Sequence, residues 1–143
     1  MSDRLSPVHC INSNLHQVAR AVSRVYAQEM RSSGLTRTQF GIMSCLTMAG
    51  TLRLSDLADK LVLERTSLTR ILKPLENQGL ILIRTSDDDA RTREISLTDK
   101  GRKKYHVANK LWQKSQRKLL KSFGEKNWHE LERSLLTLRN LVS

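Results

Sequence analysis

Apolar residues recur at helical spacing along most of the chain. Ile11, Leu15, Val18, Val22, Val25 and Met30 fall on one stripe, which predicts a long amphipathic helix from Ile11 to Met30, stopped by Ser32-Ser33-Gly34. Thr36 and Gln39 stand at capping-box spacing, so a second helix starts there. Phe40, Met43, Leu46 and Thr47 give that helix its core face, and Gly50 ends it. Leu54, Leu57, Ala58 and Leu61 mark a short third helix beginning at Leu54 or Ser55, with the Ser55 hydroxyl as the expected N-cap. Leu68, Ile71, Leu72 and Leu75 form the buried stripe of a fourth. Pro74 removes a backbone donor inside it and predicts a bend or local widening of its last turns. Gly79 supplies a left-handed cap.

The period then changes. Leu80, Ile81, Leu82 and Ile83 read as a strand and Glu94, Ile95, Ser96 and Leu97 as its partner, joined by the tip Ser86-Asp87-Asp88-Asp89-Ala90-Arg91-Thr92-Arg93. Thr98 caps a long helix running to about Ser122, Gly124 breaks it, and Lys126 to Val142 form the last helix. The expected fold class is mainly α with a small β-wing. A winged helix-turn-helix lobe covers residues 36–97 and long terminal helices cover 11–33 and 98–143, all within one domain of 1–143. Helix, turn, helix and wing in this order is a device for placing a helix in the DNA major groove.

The exposed side of the fourth helix fits that reading. It carries Arg65, Thr66, Ser67, Thr69, Arg70 and Lys73, short hydroxyls and cations that reach phosphates and base edges. Glu64 and Glu76 sit only at its ends, whereas an ordinary solvated helix face mixes Glu with Lys. The bland alternative is a polar surface helix. Three carboxylates at the wing tip oppose phosphate contact. Asp89 is expected to hold Arg91 in a fixed rotamer aimed into the minor groove, and Asp87 and Asp88 to be solvated turn residues.

The chain is similar to the MarR-type (multiple-antibiotic-resistance regulator) winged-helix transcription regulators. The residues that carry this are Gly34-Leu35-Thr36-Arg37-Thr38-Gln39-Phe40, Leu54-Ser55-Asp56-Leu57-Ala58, Thr69-Arg70-Ile71-Leu72 with Leu75-Glu76 and Gly79-Leu80, then Asp89-Ala90-Arg91 and Leu97-Thr98-Asp99-Lys100-Gly101. Matches run from about Asn14 to Gly101, and the helical tail also fits. The resemblance implies a homodimer on a pseudo-palindromic operator, usually a repressor, released from DNA by a small phenolic or aromatic effector or by an oxidant. It gives recognition-helix and wing roles to Arg65, Thr66, Ser67, Thr69, Arg70, Lys73, Asp89 and Arg91. Ala90 stands where such wings often carry a second charge, so fewer phosphate contacts are expected there.

Charge points independently to the same partner. The 143 residues hold 25 Lys and Arg against 14 Asp and Glu, a net charge of +11 that attracts nucleic acid or acidic membranes. Aromatics at 4% argue against base-stacking platforms for single strands or RNA. No apolar run approaches the ~20 residues of a membrane span. Met1-Ser2-Asp3-Arg4-Leu5 does not open a secretory signal, and two cysteines fit a reducing compartment. The expected location is therefore the cytoplasm of a bacterium or archaeon, at the nucleoid. From Thr98 to Ser122 nine cations face one anion, Asp99, which accounts for most of the net charge. Arg102, Lys103 and Lys104 lie near the wing base, within reach of phosphates, while Lys110 onward reads as a solvated face.

The terminal helices carry more apolar surface than one small lobe covers: Leu111, Trp112, Leu119, Leu120 and Phe123, then Trp128, Leu131, Leu135, Leu138 and Val142. A second copy is the simplest sink, and an intramolecular cap is the alternative. No enzyme is expected. His9, His16, His106 and His129 are scattered, and no nucleophile motif, glycine-rich phosphate loop, metal set or cofactor set appears. Cys10, beside His9, is a candidate redox sensor or else a packing thiol, and Cys45 is a packing thiol. Val25, Tyr26, Met30, Met43 and Met48 are a candidate effector pocket or else core. The rival to a dimeric DNA-binding regulator is a winged-helix protein-interaction module without operator reading.

Overall fold

The chain alternates from helix to sheet where its apolar period does. A computed structural model describes residues 2–143. It contains α1 (Ile11–Met30), α2 (Arg37–Ala49), β1 (Thr51–Arg53), α3 (Leu54–Leu61), α4 (Arg65–Asn77), β2 (Ile81–Thr85), β3 (Arg93–Leu97), α5 (Asp99–Phe123) and α6 (Glu125–Val142). Short 3-10 turns precede α1 and follow it. The winged-helix class expected from the pattern is the class observed.

The local signals act as their chemistry requires. The Thr36 hydroxyl accepts the Gln39 N–H at 3.2 Å, and the Gln39 side chain accepts the Thr36 N–H at 3.0 Å, closing the capping box of α2. At the end of α4, Gly79 takes φ 70, its N–H reaches the Glu76 carbonyl, and the Leu80 N–H reaches the Leu75 carbonyl. Those two bonds are a Schellman closure. The helix stays continuous across Pro74 as far as Asn77. Thr98 caps α5 by accepting the Gly101 N–H at 3.0 Å and donates its own hydroxyl to the Gly79 carbonyl at 2.6 Å. Lys100 adds a bond to the Gln78 carbonyl at 2.7 Å. The start of α5 is thus tied to the end of α4.

Two features differ from the sequence pattern. The sheet has three strands in the order β1-β3-β2, because Thr51–Arg53 pairs antiparallel with β3, Leu52 opposite Ile95. Ser55 is not an N-cap. Arg53 occupies that position with extended dihedrals, and Ser55 lies within the first turn of α3. The chain enters α3 straight from a paired strand, so the helix starts at Leu54, the earlier of the two expected positions, and without a side-chain cap. At the far end of α3, Val62 adopts the left-handed conformation with φ 54, unusual for a β-branched residue.

The core lies between α2, α3, α4 and the sheet. Ile42, Met43, Leu57, Leu68, Leu75 and Ile95 are fully buried there. α1 crosses α5, where Tyr26 stacks on Trp112 with ring centroids 6.3 Å apart; Phe40 bridges Trp112 at 6.0 Å and Tyr105 at 5.3 Å. The Tyr26 hydroxyl donates to the Gln116 side chain, and Lys114 pairs with Glu29 at 3.0 Å. α6 buries no residue within the chain. Ile11, Leu15, Val18 and Val22 of α1 and Leu131, Leu136, Leu141 and Val142 of α6 are exposed. Among the described residues, no helix is long and apolar enough to cross a membrane.

Candidate nucleic-acid interface

α4 turns its leucines inward and its polar residues outward. Leu68, Leu72 and Leu75 are buried, while Arg65, Thr66, Thr69, Arg70 and Lys73 are exposed and Ser67 is half-buried. Neither Arg65 nor Arg70 has a carboxylate partner among the described residues. Their donors face water, which a phosphate or a guanine edge can replace. The Thr69 hydroxyl donates to the Arg65 carbonyl at 2.8 Å, so toward a ligand it is an acceptor. Lys73 stands 3.9 Å from Glu76, an exposed pair that salt screens.

The wing is ordered by a different bond from the one expected. Asp89 does not grip the Arg91 guanidinium. Its Oδ1 accepts the Arg91 backbone N–H at 2.9 Å and its Oδ2 accepts the Thr92 hydroxyl at 3.3 Å. The Thr92 N–H bonds to the Asp89 carbonyl at 2.9 Å. This is an Asx-turn, which fixes the backbone of the tip and leaves the Arg91 side chain exposed. Asp87 and Asp88 are exposed turn residues, with Ser86 buried beneath them.

Sequence reasoning missed Arg93 and Arg84. Arg93 opposes Thr85, two residues from the buried Ile95, and so shares the sheet face that meets α4. With Thr69, Lys73, Glu76, Leu54, Leu72 and Ile83 it lines an open cleft of about 370 Å³ between α4 and the wing. Counting back by twos from Ile95 would have placed it there. Arg84, opposite Glu94, lies on the outer face of the wing.

The five residues expected to form an effector pocket do not come together as a lining. Met30 and Met43 are core, Val25 and Tyr26 are half-buried, and Met48 is 89% exposed near the end of α2. The helical spacing of Met43 and Met48 separates their directions, because five residues rotate a helix by about 140° beyond a full turn. An open groove of about 490 Å³ lies instead along α1 and the start of α2, lined by His16, Ala19, Arg20, Ser23, Arg24, Ala27 and Arg37. Cys10 is exposed at the start of α1, with His9 turned to Asp3 at 3.4 Å. Cys45 is half-buried against the core. No cluster of three or more His, Cys, Asp or Glu with metal-binding geometry occurs among the described residues.

Residues 35–92 match the sequence profile of the MarR family. The regulator MosR of M. tuberculosis, solved in complex with DNA, superposes with a TM-score of 0.83 at 32% identity, over 93% of this chain and 96% of MosR. The chain belongs to the MarR family. FarR of Neisseria gonorrhoeae, a helix-turn-helix transcriptional regulator, is 34% identical over 95 residues, 66% of this chain and 65% of FarR. NadR, solved with 4-hydroxyphenylacetate, superposes with a TM-score of 0.79 at 28% identity, covering 93% of this chain and 94% of NadR. The family's members are DNA-binding transcriptional regulators and not enzymes, and α3 and α4 with the β2–β3 wing form the winged helix-turn-helix of this MarR-family chain.

Proposed function

We propose that this MarR-family chain is a repressor acting as a homodimer on a pseudo-palindromic operator. α4 reads the major groove through Arg65, Thr66, Ser67, Thr69, Arg70 and Lys73. The wing approaches the minor groove through Arg91, with Asp89 shaping its tip. The observation that carries this reading is the exposed face of α4, where Arg65 and Arg70 have no carboxylate partner among the described residues, beside a wing whose arginines are likewise unpaired there. MosR, a relative of the same overall shape, is found on DNA. The exposed stripes of α1 and α6 supply a self-complementary apolar surface for the second copy. Residues 11–33 and 98–143 are accordingly the dimerisation part and 36–97 the reading part of one domain.

Release is proposed through a small aromatic acid. The groove along α1 is lined by Arg20, Arg24 and Arg37, which suit a carboxylate. NadR binds an aromatic carboxylate. An oxidant acting at the exposed Cys10 is the second route, and retained release by peroxide in a Cys10→Ser variant eliminates it.

Mobility shift on genomic fragments against excess random competitor, in rising salt, tests the whole. A surviving specific complex and a loss of ~1–3 kcal/mol on Arg70→Ala are expected. Equal affinity for all fragments would favour the protein-interaction module. Sedimentation of Val18→Glu, a change at an exposed position, should show monomer where the parent is a dimer.

A further inference from the structure

α5 bears more charge than reading DNA at one end requires. Lys103, Lys110, Lys114, Arg117 and Lys121 are all exposed. At about 100° per residue they fall within about 60° of one another, a straight stripe about 27 Å long. Gly101, Ala108 and Ser115, the buried residues of α5, lie on the opposite side. Only Lys114 has a carboxylate partner among the described residues, Glu29. Neighbours at four residues' spacing, Lys110 with Lys114 and Arg117 with Lys121, repel by ~0.2–0.5 kcal/mol per pair in an isolated helix. A polyanion laid along the stripe converts that repulsion into attraction.

We propose that this face of α5 is a second, sequence-independent binding surface for double-stranded DNA, holding a duplex other than the one read by α4. The chemistry selects the partner. Successive cations from Lys110 onward rise by about 4.5–6 Å, a dense line of positive charge that suits the closely spaced phosphates of a duplex. No aromatic residue stands in the stripe to stack a single-stranded base. Val107 is the one apolar residue on this side of α5, too little for seating in a bilayer. The position selects a separate duplex. α5 starts at the C-terminal end of α4, and Lys110 to Lys121 lie about 16–33 Å along it from Asp99, on the part of α5 that packs on α1 through Trp112, Lys114 and Gln116. A protein with both surfaces bridges two segments of DNA.

The test uses the full chain and a short random-sequence duplex. Lys110→Gln, Lys114→Gln, Arg117→Gln and Lys121→Gln together should make the slope of log affinity against log salt shallower by about 3–4. An immobilised duplex saturated with the parent protein should capture a labelled second duplex, and the fourfold variant should lose that capture several-fold. Should the fourfold variant fail to fold by circular dichroism, Lys110→Gln with Lys121→Gln should give about half the slope change. Arg65→Ala with Arg70→Ala removes the α4 face and should leave the stripe's share of the slope in place, which separates this proposal from the operator reading. An unchanged slope and capture would overturn it. So would a change of oligomeric state in the stripe variants, which would assign the face to a contact between copies, or capture of anionic vesicles without capture of a second duplex.

Discussion

Gly101 lies under the backbone of Leu80: a Cβ built on Gly101 would come 2.0 Å from the Leu80 carbonyl oxygen. That oxygen also accepts the Thr98 N–H at 3.1 Å, so it cannot retreat without breaking the joint between the wing and α5. Gly101→Ala should therefore destabilise the fold by about 3 kcal/mol or more, at the upper end for overpacking, although alanine favours helix elsewhere. Thermal or urea unfolding measures it. A variant as stable as the parent would show that α5 can shift at its first turn.

Val62 closes α3 in the left-handed region, where a β-branched side chain is strained. Its N–H bonds to the Asp59 carbonyl at 3.2 Å, and the Leu63 N–H bonds to the Ala58 carbonyl at 2.9 Å, so the turn is held by its own closure. Val62→Gly relieves the strain and loses only an exposed side chain, against the larger entropy of glycine in the unfolded chain. A net gain of up to about 1 kcal/mol is expected in urea unfolding, with no change in DNA affinity.

Asp89 acts through the backbone of the tip. Asp89→Ala removes both acceptors and should free the wing, weakening binding to a random-sequence duplex and to any specific site alike. Asp89→Asn keeps the Oδ1 acceptor for the Arg91 N–H and should stay near the parent. Were the carboxylate charge itself the active feature, the two variants would behave alike. A titration of affinity for both, beside Arg91→Ala, distinguishes the cases.

Burial raises the Tyr26 phenol above its ordinary value of 10.0. The folded state thus favours the neutral form, and the stability from this group is present below the unfolded pKa and is lost as pH rises through the folded one. Tyr26→Phe removes that titration together with the bond to Gln116. The stability difference between parent and variant should shrink from pH 9 to about pH 11. A difference that stays constant over that range would place the phenol in full contact with water.

Short-range chemistry was legible in the sequence and long-range pairing was not. Thr36 with Gln39, Gly79 and Thr98 each bond within a few residues, so spacing alone located them. The apolar stripes of α4 and α1 were equally plain, because a helix repeats its environment every turn. Thr51–Arg53 was missed: three residues show no alternation, and the partner strand lies about forty residues on. With α3 starting at Leu54 directly after that strand, Ser55 has no role as a cap. At the wing, the Asp-x-Arg spacing allowed two bonds, one to the guanidinium and one to the backbone, and only geometry chose between them. Met48 is exposed where Met43 is buried, because five residues along α2 turn the two side chains to different sides.

The third strand has a mechanical meaning. Since Thr51–Arg53 is stitched along β3 and runs directly into α3, the hairpin is no loose flap hinged at its base. It is tied through β1 and α3 to the helix-turn-helix, so on the proposed reading a signal that repositions α4 carries the wing with it, and a half-site is gained or surrendered whole.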